Sequence, residues 1–187
     1  MFIFGQHATS VLTPKQHELG INLHYGAVYA QSIYVKNTAG AKPVGLSFEI
    51  AKRKTDTATF NNFGCFPRTG IMLSYINLNT PILGNSFTAA YLFEPTFRIN
   101  NKMDWYIKAR FGLSYLTNPN DSLKNPDNQT YSQYVNIFTA VGIGIDYKIN
   151  DHFSCSLAAN FLHNSNGGFK QPNRGLNYPG LSAGIKY

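Results

Sequence analysis

Alternation of apolar and polar residues, repeated along most of the chain, is the feature that most limits how this sequence can fold. Eight segments show it, at approximately 18–29, 43–52, 69–76, 86–99, 103–115, 133–149, 152–163 and 179–187. No segment has a comparable helical period. The connections are rich in Asn, Asp, Gly and Pro, which favour turns between antiparallel strands. The pattern therefore predicts an all-β fold, an eight-stranded antiparallel up-and-down β-barrel.

The two faces of the predicted strands differ in an unusual way. In the fifth segment, Trp105, Ile107, Ala109, Phe111, Leu113 and Tyr115 share one face, opposite Tyr106, Lys108, Arg110, Gly112 and Ser114. The sixth segment repeats this division, with Phe138 and Thr139 as exceptions. The second face is mostly small residues, whereas a soluble barrel would cover its outer face with Lys, Glu and Asp. We therefore interpret the apolar face as lipid-facing and the small-residue face as a narrow lumen.

Composition supports a membrane barrel. Only 13% of the residues are charged, against about 25% in an ordinary soluble domain. Charged residues of both signs fall on the lumen face and are expected to pair across it: Glu49, Glu94, Arg98, Lys108, Arg110 and Asp146. Aromatic residues near strand ends are expected to form interfacial girdles: Tyr25, Tyr29, Trp105, Tyr115, Tyr147 and Tyr178. A soluble lipocalin-like carrier, with the apolar face inward, is the alternative architecture.

We expect one domain over residues 1–187, with 1–17 as a periplasmic lead-in and the strands at approximately 18–187. The connections after the fourth and sixth strands are short, so the loops after strands one, three, five and seven should face outward. The segment 53–68 is long although it falls on the periplasmic side, and the sequence offers no explanation for it.

The net charge and the motif content limit which partners and cofactors we expect for this chain. The net charge of +7 favours anionic partners such as a membrane surface or lipid phosphate. The basic residues are not clustered, so we expect no nucleic-acid partner. No metal or nucleotide motif is present, so we expect no metal and no cofactor. Whether Cys65 and Cys155 pair is left open, as is a homodimer.

The most specific segment lies at the end of the seventh strand. If that strand continues through Ser165, then His163 and Ser165 share a face at spacing i, i+2, where the imidazole can accept the hydroxyl proton. Parity assigns them to the face of Phe161 and Leu157, the one interpreted as lipid-facing. Polar side chains that face lipid cost free energy, so their presence on that face indicates a functional role.

The segment His163-x-Ser165-Asn166-x-Gly168-x-Lys170-Gln171-Pro172-Asn173-x-Gly175 resembles the signature of the lipid A 3-O-deacylases (PagL type), which are eight-stranded outer-membrane barrels. The resemblance implies a serine esterase of the Gram-negative outer membrane. It would remove an ester-linked acyl chain, the 3-O chain, from lipid A of lipopolysaccharide in the outer leaflet. It also implies Ser165 as nucleophile, His163 as base, and Asn166 with the Gly168 N–H as oxyanion donors.

One position departs from that signature. The acidic third member of the triad, twelve residues after the serine, is Asn177 in this chain. An amide oxygen can orient a neutral imidazole but adds no full charge. Either turnover is slow or another acid substitutes, and Asp121 and Asp127, in the other long outward loop, are the better candidates for that acid. We expect Lys170 and Arg174 to meet lipid A phosphates. A barrel without turnover, with a lipid-binding or structural role, is the alternative function.

Overall fold

The computed structural model describes residues 16–187 and contains a closed barrel of eight strands. The strands are β1 (Gln16–Gly26), β2 (Val44–Arg53), β3 (Phe66–Asn77), β4 (Asn85–Arg98), β5 (Met103–Leu116), β6 (Val135–Lys148), β7 (Ser154–Ser165) and β8 (Leu176–Lys186). Each strand pairs antiparallel with the next, and β1 pairs with β8 to close the barrel. The predicted fold is confirmed.

Strand boundaries differ from the prediction at both ends of the chain. β1 begins at Gln16, inside the predicted lead-in, and residues 1–15 of that lead-in lie outside the described residues. β1 also ends at Gly26, and Tyr29 beyond it keeps only a single bridge to Asn177. β8 begins at Leu176, three residues before the predicted start. The early start of β8 brings Asn177 into the sheet.

The predicted faces are confirmed. The apolar residues of β5 and β6 face outward, and their small and charged neighbours face the lumen. Tyr178 is an error in the predicted girdle, because it faces inward and is 3% exposed. The register of β8 turns Asn177 outward, so the next residue must point into the lumen.

An ionic cluster fills the lumen at the end where the short turns lie, which we call the turn end. Five of the six predicted lumen charges form ion pairs there, with Arg68 at the centre of the cluster. Arg68 Nη1 is 2.6 Å from Glu94 and 2.9 Å from Glu49, and Arg110 Nη2 contacts the same two carboxylates at the same distances.

The prediction of ion pairing is wrong for Lys108, which is buried, has no ion pair among residues 16–187 and lies over the Tyr106 ring instead. Five further members of the cluster were not predicted: Glu18, Arg53, Arg68, Asp104 and Lys186.

Apolar side chains fill the opposite end of the lumen, where the longer loops lie, which we call the loop end. The largest fully buried members are Leu78, Leu83, Leu116, Tyr131, Phe138 and Leu176. The exceptional Phe138 of the sixth segment belongs to this cluster, so its break in the small-residue pattern has a packing role. With the lumen filled at both ends, a site for a lipid-sized ligand must lie on the outer surface.

The long segment between β2 and β3 contains a helix, α1 (Thr57–Phe63), which was not predicted because seven residues are too few for a clear helical period. The Asp56 carboxylate accepts a hydrogen bond from the Thr59 N–H at 2.8 Å, and Gly64, at φ 66°, ends the helix. Phe60 packs on the buried Phe66, with ring centroids 5.3 Å apart. The segment thus packs against the turn end of the barrel.

A short 3-10 helix, Ile33–Thr38, lies in the loop after β1. Within residues 16–187, no helix is both long enough and apolar enough to cross a membrane. Cys65 is buried near α1 and Cys155 is exposed on β7, and both are free thiols in this structure.

Candidate active site

The end of β7 and the start of β8 bring two predicted site residues together. β7 continues through Ser165, as the spacing argument required, so His163 and Ser165 both face outward. Because β8 starts at Leu176, the register pairs His163 directly with Asn177 on the same outer face. Residues fourteen apart in sequence thereby become neighbours across two strands.

His163 and Asn177 are in direct hydrogen-bond contact. The imidazole Nδ1 lies 2.6 Å from the amide oxygen of Asn177. Because an amide oxygen only accepts, Nδ1 carries the proton in this arrangement and Nε2 keeps its lone pair. The contact therefore leaves the imidazole in the form that can accept a proton through Nε2.

The Ser165 hydroxyl lies beside this pair but is bonded to the following loop. Its Oγ accepts hydrogen bonds from Asn173 Nδ2 at 3.0 Å and from the Gly167 N–H at 3.2 Å. No hydrogen bond joins Ser165 to His163 in residues 16–187. In unliganded enzymes such contacts are often long and tighten only when substrate binds.

Asn166 faces the opposite way from Ser165 and is 3% exposed. Its amide donates to the Lys170 carbonyl at 2.7 Å, and its oxygen accepts from the Gly168 N–H at 2.9 Å. The two groups expected to bind the oxyanion are thus bonded to each other, and they shape the turn after Ser165. Their oxyanion role stays a prediction.

Two neighbouring loops hold the β7–β8 loop from either side. From the β1–β2 loop, the Gln31 side chain donates to the carbonyls of Arg174 and Gly175. From the β5–β6 loop, Ser132 donates to the Lys170 carbonyl at 2.9 Å, and the Thr130 carbonyl accepts from the Gly175 N–H at 2.9 Å. These contacts position the loop that carries Asn173 over Ser165.

Gly175 lies against the imidazole. It has φ +75°, and a Cβ added there would come within 2.9 Å of His163 Cε1. Glycine at this position lets the backbone approach the ring without a clash.

The remaining predicted residues lie around the site without touching its centre. Lys170 is exposed, and the Arg174 guanidinium lies 4.6 Å from the centre of the Tyr34 ring. The Asp121 carboxylate accepts from the N–H groups of Leu123 and Lys124 at 2.9 Å, and these donors lower its pKa. The Asp121 carboxylate therefore bonds the backbone of its own turn. The hydrogen-bond partner of His163 in this structure is Asn177.

Four residues that build the site were not predicted in those roles: Gln31, Ser132, Asn173 and Gly175. Asn173 and Gly175 were visible within the signature segment, but nothing in the pattern said what they contact. Gln31 and Ser132 gave no signal, because they come from loops far away in the chain.

We next compared the chain with known protein families and curated proteins. A family model described as "Lipid A 3-O-deacylase (PagL)" matches residues 13–186. No curated protein matches the chain.

Two solved structures share the fold of this chain. Neisserial surface protein A (NspA) has a TM-score of 0.57 at 15% identity, and the alignment covers 92% of this chain and 97% of that one. The N-terminal β-barrel domain of Pseudomonas aeruginosa OprF has a TM-score of 0.50 at 13% identity, with coverage of 92% and 99%. At these identities the likeness shows the fold alone.

Proposed function

Because the chain belongs to the lipid A 3-O-deacylase (PagL) family, a family of the bacterial outer membrane, we propose that it is a serine esterase that removes the 3-O-linked acyl chain from lipid A. The observation that carries the proposal is the contact of 2.6 Å between His163 and Asn177, beside Ser165, on the outer face of a filled barrel. A lipid ester can reach this surface only from within the membrane. The barrel surface and the membrane together form the two walls of the site.

The first chemical step uses the tautomer that Asn177 selects. His163 Nε2 takes the proton of Ser165 as Oγ attacks the ester carbonyl carbon, and the carbonyl oxygen becomes the oxyanion. The imidazolium then gives that proton to the departing sugar oxygen as the ester bond breaks. The acyl chain stays on Ser165 as an acyl-enzyme.

Water completes the cycle. His163 takes a proton from a water molecule, whose oxygen attacks the acyl-enzyme carbonyl, and then returns the proton to Ser165 as the fatty acid leaves. The net reaction consumes one water and needs no cofactor.

Donors to the oxyanion come from the loop after Ser165. Asn173 Nδ2 and the Gly167 N–H already contact the nucleophile, at 3.0 and 3.2 Å. When Oγ turns toward the substrate carbonyl, these donors are free to bond the new oxyanion. Asn166 and the Gly168 N–H, which the family signature implies, join them if their mutual hydrogen bond opens.

The rest of the proposal concerns orientation. The loop end of the barrel faces the outer leaflet, where lipid A resides, so the ester meets Ser165 near the membrane surface. Lys170 and Arg174 then lie at the level of the lipid A phosphates. The barrel acts as one domain, and the alternative homodimer is not needed for this chemistry.

Fatty-acid release from lipopolysaccharide by the refolded protein tests the proposal, with Ser165→Ala as the matched variant and mass spectrometry of the lipid A product. We expect the wild type to remove one ester-linked chain and Ser165→Ala to remove none. Loss of the chain in both would show that Ser165 is not the nucleophile. Loss in neither would contradict the esterase proposal.

A second function, a lipid-binding or structural barrel without turnover, is favoured by one feature. Asn177 lacks the charge that stabilises an imidazolium, and acid-to-amide replacement in a serine triad costs about 10⁴-fold. Binding of lipopolysaccharide by a protein that releases no fatty acid would support this alternative.

A further inference from the structure

A third polar side chain lies in the same row as His163 and Asn177. Thr139 is the exception noted in the apolar pattern of the sixth strand, where every other outward residue of β6 is Val, Ile or Tyr. The register pairs Thr139 with His163, and His163 with Asn177. Three adjacent strands therefore each place one polar residue at the same height on the outer face.

Thr139 is also close to the nucleophile. Ser165 pairs with Ile137, the outward residue that precedes Thr139 on β6, so Ser165 and Thr139 are diagonal neighbours. Directly opposed side chains have Cβ atoms about 4.5–5.5 Å apart, and diagonal neighbours about 7–8 Å apart. A substrate group bound beside Ser165 thus passes within reach of the threonine hydroxyl.

The shape of the surface around Thr139 suits a bound group. Thr139 is half-buried, whereas Phe111, its neighbour on β5, is 65% exposed and Val141, the next outward residue on β6, is 60% exposed. The small threonine is therefore flanked by larger and more exposed apolar side chains. On β7 its nearest outward neighbours are His163, directly opposite, and Ser165, on the diagonal.

The hydroxyl of Thr139 has no hydrogen-bond partner within residues 16–187. An unsatisfied hydroxyl in an apolar medium costs free energy that Val, of nearly the same shape, avoids. On an outward face otherwise made of Val, Ile and Tyr, this cost points to a group that arrives with the substrate.

We propose that Thr139 is a substrate-contacting residue, whose hydroxyl donates a hydrogen bond to an oxygen of the ester substrate on the membrane side of the scissile bond. The inference rests on the proposed esterase function and adds a residue to its binding surface. The contact forms when the ester binds and persists through the reaction.

Steady-state hydrolysis of micellar lipopolysaccharide tests this assignment with Thr139→Val, Thr139→Ser and the matched control Thr69→Val. Thr69 is the other half-buried outward threonine within a strand, on β3, away from the site. One hydrogen bond contributes about 0.5–1.5 kcal/mol net, so we expect a rise in KM of about 3- to 10-fold for Thr139→Val with kcat nearly unchanged. Thr139→Ser keeps the hydroxyl and should stay within about 2-fold of the wild type, as should Thr69→Val.

Three results would overturn the assignment: an unchanged KM in Thr139→Val, an equal loss in Thr69→Val, or an equal loss in Thr139→Ser. The failure of this inference is distinct from that of the esterase proposal. If the wild type releases no fatty acid, the esterase proposal fails and the assignment falls with it. If the wild type is active and Thr139→Val matches it, only the assignment fails.

Discussion

The barrel has two polar regions, and they satisfy their polar groups in opposite ways. In the ionic cluster of the lumen, each buried guanidinium contacts at least two carboxylates, as Arg68 does with Glu18, Glu49 and Glu94. On the outer face, Thr139, His163 and Asn177 are uncharged or weakly basic and contain a single mutual hydrogen bond, between His163 and Asn177. Every carboxylate of the cluster is paired within it, and Arg68 Nη2 is its one buried nitrogen without a hydrogen-bond partner among residues 16–187, whereas the outer row leaves groups that another molecule can bind.

The difference teaches how to separate structural from functional polar residues in a membrane barrel. Buried charges are tolerated when they are paired and hydrogen-bonded, and they then lock the elements that carry them. A polar row that faces an apolar medium and stays partly unpaired is costly to stability. Its retention is better explained by chemistry at that surface.

The largest expected effect on kcat comes from removing His163, the general base in the outer row. We expect His163→Ala to lower kcat for lipid A deacylation by about 10²- to 10³-fold, because Ser165 then has no group to take its proton, while the amide at position 177 already limits what the base contributes. Thermal unfolding should change little, since the ring is half-buried and outside the lumen.

The double variant His163→Ala with Ser165→Ala is the control for a shared role. Residues that act as one unit are not additive, so the double variant should be no slower than either single variant. A further loss in the double variant would contradict the assignment of both to one step.

The second prediction concerns the contribution of the ionic cluster in the lumen to stability. Arg68→Met leaves Glu49 and Glu94 with fewer partners in a buried position, and we expect the free energy of unfolding to fall by about 3–5 kcal/mol. Urea unfolding in micelles measures it, and deacylation by the folded fraction should be retained.

Arg98→Met is the matched control for Arg68→Met. Arg98 contacts Asp104 at 3.6 Å and its side chain is 31% exposed, so its removal should cost about 1 kcal/mol or less. Equal losses of unfolding free energy in the two variants would show that burial does not determine how much an arginine of this barrel contributes to stability.

A change at Asn177 sharpens the comparison by bringing charge to the outer row. We expect Asn177→Glu to raise kcat by more than about 10-fold, part of the roughly 10⁴-fold that separates an acid from an amide in a serine triad. Asn177→Gln differs from it only in charge and should show no gain. Equal rates in the two variants would mean that the imidazolium charge is not limiting.

The smallest expected effect concerns the approach of the loop to the imidazole. Gly175→Ala places a Cβ within 2.9 Å of His163 Cε1, and we expect about a 10-fold loss of kcat/KM as the ring is displaced. Gly40→Ala is the control, because Gly40 has nearly the same φ, +78°, but nothing within 4 Å of the added Cβ. A similar loss in both variants would assign the effect to backbone strain rather than to the contact with His163.

The site was only partly predictable from the sequence. The predicted strand of His163 and the predicted outward face of Ser165 are confirmed, because side-chain alternation is a local property of an extended chain. The helix α1 was missed, since seven residues contain too little periodicity. The catalytic roles of these residues stay predictions that the experiments above test.

By itself, the sequence determined the eight strands, the face that most strand side chains take and the signature segment that ends β7, because each of these depends on residues close together in the chain. Only the tertiary structure decided that β8 begins at Leu176, that Asn177 meets His163, and that Thr139 completes their row. Those contacts depend on the register between strands. Register depends on the apolar patterns of both paired strands and on the geometry of the connection between them. The connection from β7 to β8 is a long loop, so no single segment of the sequence specifies that register.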